Sequence, residues 1–170
     1  MGVGRPGCSK LRFATYPGPA EERAWVLRAC GMMCSVPRVI IGSYETKLQL
    51  SCTERDRQGI PTIIVAGLDG PGLSASVAAY DDRYGELAVF FEALADSWWG
   101  WEGERSFCSL EGEFEITARH DGHVRLAIRL RRVDGPGLWT LHADVTVDPG
   151  EDMAAAARDV RTLIDAPSSR

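Results

Sequence analysis

Three glutamates lie close together in the sequence and could supply the paired carboxylates that acid–base catalysis uses: Glu102, Glu104 and Glu111. No histidine or lysine lies beside them to complete a catalytic set. The favoured interpretation is therefore a solvated loop followed by the start of a strand. The alternative is a small enzyme or ligand carrier, whose pocket would lie between the first predicted helix and the sheet.

The other residues with chemical potential do not form a recognisable site. His120 and His123 flank a predicted hairpin tip, whereas His142 faces outward on the next strand. The five cysteines are scattered without a CxxC spacing, so they indicate neither a disulfide framework nor a zinc site. The glycine pattern GLDGPG at 67–72 joins two strands and not a strand to a helix, which argues against a dinucleotide site. We therefore predict no catalytic residue, no metal site and no cofactor.

Three of the five tryptophans fall within four positions, at Trp98, Trp99 and Trp101. Trp98 continues the apolar stripe of the preceding helix, whereas Trp99 points about a quarter turn away and is predicted to be exposed. Trp101 lies beyond Gly100, a natural helix stop. The favoured interpretation is structural, with Trp98 and Trp101 plugging the junction of helix and sheet and Arg105 stacked on an indole.

The alternative interpretation of this cluster is a protein-contact surface, because Trp and Arg are enriched at interface hot spots. Its candidate residues are Trp99, Trp101, Glu102, Glu104 and Arg105.

Charge is unevenly distributed along the chain. The formal net charge is −5, but residues 41–170 alone hold 13 basic and 22 acidic residues. Such an acidic body repels phosphate, which argues against nucleic acid and favours a basic protein as partner. Apolar runs are only a few residues long, and the start of the chain lacks the apolar segment of a signal peptide. We therefore predict a cytoplasmic protein with no membrane partner.

Residues 1–35 are rich in glycine, proline and arginine and show no sustained helix or strand period. We predict a flexible basic N-terminal extension, and Met32 and Met33 offer later starts that would leave it outside the natural product. The alternative is a basic arm that grips a partner. Residues 43–166 are predicted to form a single domain, followed by a tail at 167–170.

Alternation of apolar and polar residues predicts the strands. In residues 47–53, Leu48, Leu50 and Cys52 alternate with polar residues, and we predict Cys52 to be a buried structural thiol. Related patterns predict five further strands at 60–67, 73–80, 110–118, 124–131 and 139–147.

Two segments carry the apolar spacing of helices. Residues 85–98 form the first, with Asp81 and Asp82 as candidate caps. The second follows Asp148, which is predicted to cap it, with Glu151 completing a capping box. The fold class is therefore α+β, a mainly antiparallel sheet of about six strands with two amphipathic helices packed against it. The apolar stripes are Leu87, Phe90, Phe91, Leu94 and Trp98 in the first helix and Met153, Ala156, Ala157, Val160, Leu163 and Ile164 in the second.

The strands at 110–118 and 124–131 form a hairpin whose register can be inferred. A two-residue turn at Asp121 and Gly122 would mix core residues with charged ones. A three-residue loop of His120, Asp121 and Gly122 keeps the apolar residues together. The predicted pairs are Phe114 with Ile128, Ile116 with Leu126 and Ala118 with Val124 on the inner face, and Glu113 with Arg129 and Glu111 with Arg131 on the outer face.

The segment DGPGL occurs twice, at 69–73 and at 134–138. A duplicated unit would explain the repeat, but the flanking strands differ in sequence. Shared turn chemistry is therefore the favoured interpretation.

The stretch WWGWEGERSFCSLEG, followed by HDGHVRLAIRLRR and DPGEDMAAAARDVRTLI, resembles an uncharacterised family of small actinobacterial proteins, domain of unknown function 6228. The resemblance rests on a WxGWxGER pattern, a glycine-tipped hairpin and the final helix, and it covers roughly residues 43–166. It implies no activity, cofactor or catalytic residue.

The order of strands, helix, meander and closing helix is also similar to that of immunity proteins of bacterial contact-dependent toxins, the WapI type among them. The favoured function is therefore a non-enzymatic protein-binding domain, with an immunity-type toxin inhibitor as one form of it.

Overall fold

The structure, a computed structural model, describes residues 37–133 and 137–167. The predicted extension at 1–35 and residues 168–170 of the predicted tail lie outside the described residues. In chain order the elements are β1 (Arg38–Ile41), β2 (Lys47–Arg55), β3 (Pro61–Gly70), β4 (Leu73–Tyr80), α1 (Tyr84–Asp96), β5 (Arg105–Cys108), β6 (Phe114–His120), β7 (Val124–Arg132), β8 (Trp139–Val147) and α2 (Glu151–Asp165).

The strands form two antiparallel sheets, ordered β1-β2-β3-β4 and β5-β6-β7-β8, and each sheet is followed in the chain by a helix. The α+β class and the antiparallel pairing are confirmed, but the described residues form eight strands in two sheets, where one sheet of about six strands was predicted. The two strands that the pattern missed, β1 and β5, are only four residues long, too short for alternation to stand out. β1 also begins ahead of the predicted domain start at residue 43.

The two halves of the domain therefore repeat the same order of elements, four strands and a helix. The first DGPGL segment connects β3 to β4, and the second lies in sequence between β7 and β8, partly outside the described residues. The flanking strands match in position although not in residues, which is the pattern that a duplicated unit would have.

The second helix buries the whole face that its spacing predicts, and the first buries most of it. All six stripe residues of α2 are buried, as are Leu87, Phe91 and Leu94 of α1. The inner side chains of both sheets and both helices join in one hydrophobic core. Each large side chain so buried contributes about 1.5–3 kcal/mol before the entropy of folding is subtracted. Neither α1 nor α2, the helices of the described part of the chain, is long and apolar enough to span a membrane.

The predicted caps are wrong for both helices. The residue before α1 is Arg83, and Asp81 lies buried two residues earlier, where its Oδ1 accepts a 2.8 Å hydrogen bond from the Arg83 amide. α2 begins after Gly150, and no side chain caps it. Asp148 instead contacts Tyr44 and His123, which are distant in the chain, whereas Asp81 bonds a main-chain amide two residues on.

The β6–β7 register differs from the predicted one by two residues. Phe114 pairs with Leu130 and Ile116 with Ile128, so the three-residue loop begins at Asp121 and not at His120. Because a shift of two preserves the faces of a strand, the residues of β6 and β7 still face as predicted. The strand begins only at Phe114, however, so two predictions ahead of it are wrong: Leu110 is exposed, and Glu113 is buried and accepts a 3.0 Å hydrogen bond from Ser109. The outer ion pair is consequently Glu115 with Arg129, and Glu113 with Arg129 is wrong.

Candidate protein-interaction surface

Two neighbouring tryptophans project from the end of α1. The helix ends at Asp96, and Trp98 and Trp99 are 59% and 71% exposed. Their rings meet edge to face with centroids 6.0 Å apart. The exposure of Trp99 is as predicted, whereas the prediction that Trp98 plugs the core is wrong. The helix stops before Trp98, so this residue never reaches the buried stripe that its spacing would give it.

The segment that follows is held in place by Trp101 and Arg105. The guanidinium carbon of Arg105 lies 4.7 Å from the centroid of the Trp101 ring, and Arg105 Nη1 donates a 2.6 Å hydrogen bond to the carbonyl of Ala93. Trp101 is half-buried and packs against the core. The predicted stacking of Arg105 on an indole is therefore present, and Trp101 packs against the core as the structural interpretation expects.

The turn that carries the tryptophans depends on Gly100. Its amide donates a 2.8 Å hydrogen bond to the carbonyl of Ser97, and its φ of 115° lies in a region that side chains disfavour. A Cβ at this position would lie 3.1 Å from Nδ1 of His120, whose ring packs against Trp101 with centroids 5.2 Å apart. Only glycine allows this close approach of the turn to the hairpin.

Carboxylates flank the exposed indoles in the sequence. Asp96 and Glu102 are exposed and have no ion pair or hydrogen bond within the described residues. Glu104 accepts a 2.7 Å hydrogen bond from Nε of Arg119 across to β6, so its charge is already matched. Hereafter the tryptophan surface means Asp96, Trp98, Trp99 and Glu102.

The space between α1 and the sheet, where an alternative pocket was predicted, is filled by core side chains. Leu87, Phe91 and Leu94 are each 0% exposed and belong to the same core as Phe107 and Phe114. Glu111 lies elsewhere and lines a cleft of about 330 Å³ with residues of β4, the end of β7 and the start of β8. The three glutamates thus occupy separate environments, which gives no support to paired carboxylates.

The histidines also occupy separate environments. His123 Nδ1 lies 2.9 Å from Oδ1 of Asp148, while His142 is exposed on β8. Among residues 37–133 and 137–167, no three His, Cys, Asp or Glu side chains are placed to hold a metal ion.

A polar cluster lies between the two sheets, and the sequence did not predict it. Ser43 Oγ donates a 2.6 Å hydrogen bond to Asp152 and accepts one of 2.9 Å from the amide of Asp148. The Tyr44 hydroxyl donates a 3.1 Å bond to the Asp148 carboxylate, and this bond, together with the carboxylate charge, raises the pKa of Tyr44. Because its members lie about a hundred positions apart, no local pattern could have indicated the cluster. It ties the β1–β2 loop to the start of α2.

Comparison with known proteins identifies the family but no function. No curated protein and no solved structure matches the chain. A family model described as a family of unknown function, DUF6228, matches residues 40–167. The predicted resemblance is thus confirmed, and the chain belongs to the DUF6228 family of unknown function.

Proposed function

We propose that this domain is a non-enzymatic, cytoplasmic protein-binding module that recognises a basic protein through the tryptophan surface. The observation that carries the proposal is the pair of adjacent indoles, Trp98 and Trp99, left 59% and 71% exposed. Tryptophan is the residue that costs most to remove from many protein interfaces, because a large rigid ring is desolvated at little conformational cost.

The support beneath the indoles favours binding over simple exposure. The Trp101–Arg105 stack and the Arg105 bond to Ala93 hold the chain just beyond the helix end. A preorganised loop loses less conformational entropy on association than a mobile one.

The charges indicate the chemistry of the partner. Asp96 and Glu102 flank the indoles with unmatched negative charge, and residues 41–170 hold 13 basic and 22 acidic residues. Lysine and arginine side chains would make two kinds of contact with such a surface. They would pair with the carboxylates and pack over the indole faces. A basic toxin enzyme is one partner of this kind, and its neutralisation would make the domain an immunity protein, in line with the layout of its elements.

Affinity capture from the native cell extract, followed by titration calorimetry with the purified partner, tests the proposal. We expect one stoichiometric basic protein, bound directly by the full chain. Trp98→Ala with Trp99→Ala should weaken binding by about 30-fold or more, as expected for a hot spot. The charge-neutral variant Asp96→Asn with Glu102→Gln should weaken it less and flatten its salt dependence.

Tyr80→Ala is the matched control, because Tyr80 is an exposed aromatic residue on β4, outside the tryptophan surface. It should bind as the wild type does. A partner that binds the double tryptophan variant as tightly as the wild type would contradict the proposal. Loss of binding in both the double tryptophan variant and Tyr80→Ala would contradict it too.

A further inference from the structure

Strand β8 forms an edge of the second sheet and leaves backbone groups available for pairing. In an antiparallel strand, the N–H and C=O of alternate residues point to the same side. The Thr146 carbonyl accepts a 2.9 Å hydrogen bond from the Ser43 amide and so points away from β7. Thr140, His142 and Asp144 share that orientation, and within the described residues no backbone hydrogen bond reaches them from that side.

The other sheet edges are protected in ways that β8 is not. β1 and β5 are only four residues long, and a short edge offers little to a pairing strand. Part of β4 lies within 8 Å of β7 between Cα atoms, which leaves less room for an added strand there. β8 has nine residues, and only its end at Thr146 is engaged by Ser43.

The inner face of β8 is also incompletely covered. Leu141 and Ala143 are half-buried, although their partners on β7, Leu130 and Ile128, are 0% and 1% exposed. Trp139 is half-buried as well. An added strand would therefore complete both the hydrogen bonding of the edge and the cover of these apolar side chains.

We propose that β8 pairs antiparallel with β8 of a second copy of this chain, with Ala143 on the two-fold axis. In this register His142 of each copy lies opposite Asp144 of the other, and the two residues exchange backbone hydrogen bonds. Ala143 lies opposite itself in a non-hydrogen-bonded pair, where Cα atoms approach to about 4.5 Å. A small residue suits that position.

Side-chain complementarity selects both the occupant and the register. With Ala143 on the axis, two His142–Asp144 pairs form on the outer face, and half-buried Leu141 lies opposite the buried Val145 of the other copy on the inner face. Moving the axis to His142 would set this residue opposite itself and Asp144 opposite Thr140, so both His142–Asp144 pairs would be lost. The edge is thus complementary to itself, which favours a second copy over a strand from an unrelated protein.

Sedimentation of the full chain over a range of concentrations tests the proposal through a charge swap. The wild type should associate into dimers. His142→Asp sets aspartate against Asp144, and Asp144→His sets histidine against His142. Each single variant should weaken association by about tenfold, since the altered pair occurs twice across the axis. The double variant, His142→Asp with Asp144→His, should restore it.

These side chains are exposed, so all three variants should melt as the wild type does at concentrations too low for association, and a folding defect would show as a changed melting temperature there. A wild type that stays monomeric at every concentration overturns the proposal, including the case in which β8 binds another protein instead. A dimer that the single variants leave unchanged overturns it too.

A cysteine at the axis provides an independent readout. Ala143→Cys should form a disulfide between copies under mild oxidation, because a Cα separation of about 4.5 Å permits one. Ala127→Cys, on the exposed outer face of the central strand β7, is the matched control and should not cross-link to itself. Peptide mapping distinguishes both from links through Cys108, which is exposed. Equal cross-linking of the two variants would contradict the register.

Discussion

The guanidinium carbon of Arg105 lies 4.7 Å from the centre of the Trp101 ring, while its Nη1 donates a 2.6 Å hydrogen bond to the carbonyl of Ala93. Ala93 lies in the last turn of α1, where carbonyls have no partner within the helix. One side chain thus bonds the end of the helix and stacks on the segment beyond it. Trp98 and Trp99 lie in the chain between these two contacts and are exposed.

We expect Arg105→Ala to lower the free energy of unfolding by about 1–3 kcal/mol, because it removes a charge-assisted hydrogen bond and a cation–π contact together. The free energy of unfolding of Arg105→Lys should lie between that of Arg105→Ala and that of the wild type. An ammonium group cannot stack on the ring and bond the carbonyl together as the planar guanidinium does. Urea denaturation measures both. Arg119→Ala is the control: Arg119 pairs with Glu104 but is 69% exposed, so its loss should cost at most about 1 kcal/mol. Equal effects of the two alanine variants would contradict the anchoring role.

Gly100→Ala should destabilise the turn more than Gly103→Ala. Gly103 has a φ of 78°, and nothing lies within 4 Å of a Cβ there, so only backbone strain of about 1–2 kcal/mol is expected. At Gly100 the φ is 115° and the Cβ would also approach His120 Nδ1 to 3.1 Å. We expect a larger loss for Gly100→Ala, of about 2–3 kcal/mol, together with a change in tryptophan fluorescence. The reverse order would contradict the close packing of turn and hairpin.

Arg55 should be a main support for the end of α2. Its Nη1 and Nη2 donate hydrogen bonds of 2.8 and 2.5 Å to the carbonyls of Ile164 and Leu163, in the last turn of the helix. Arg55→Ala should cost about 1–3 kcal/mol in unfolding free energy. It should also speed hydrogen exchange in that turn. Arg57→Ala, an exposed arginine in the following turn, is the control and should change neither quantity.

The ion pair between the helices should make stability depend on pH on the acid side. Arg161 donates hydrogen bonds of 2.7 and 2.8 Å to the two oxygens of Glu92, and this bonding lowers the pKa of Glu92 below its ordinary value of 4.5. A carboxyl with a depressed pKa stabilises the fold above its unfolded-state pKa and loses that contribution as the pH falls through its folded-state pKa.

Glu92→Gln should therefore melt below the wild type at pH 7, and the difference should shrink as the pH falls below 4.5. Thermal melts from pH 2.5 to pH 7 measure it. Glu86→Gln is the control, because Glu86 is 64% exposed and lies 3.7 Å from Arg83. A Glu92→Gln difference that stayed constant across this range would contradict the mechanism.

The sequence by itself determined which residues face inward and which outward. Period-two alternation placed Ile116 and Leu126 in the core, and the helical period placed the whole buried face of α2, because each pattern follows from local backbone geometry. It also indicated that Trp99 is exposed, because this residue lies about a quarter turn off the apolar stripe, and that Arg105 stacks on an indole, which the structure shows to be that of Trp101.

Tertiary structure alone decided the rest. The four-residue strands β1 and β5 exist because longer neighbours pair with them, so their own sequences carry too little signal. The β6–β7 register moved by two residues since either register buries the same face, and only the packing of Phe114 and Leu130 distinguishes them. Trp98 does not take its predicted place in the core, because the helix ends before it. Asp148 does not cap the second helix, because it bonds Tyr44 and His123, which are distant in the chain. Long-range contacts of this kind leave no periodic trace in a sequence, which is why the two sheets and the free edge of β8 emerged only from the fold.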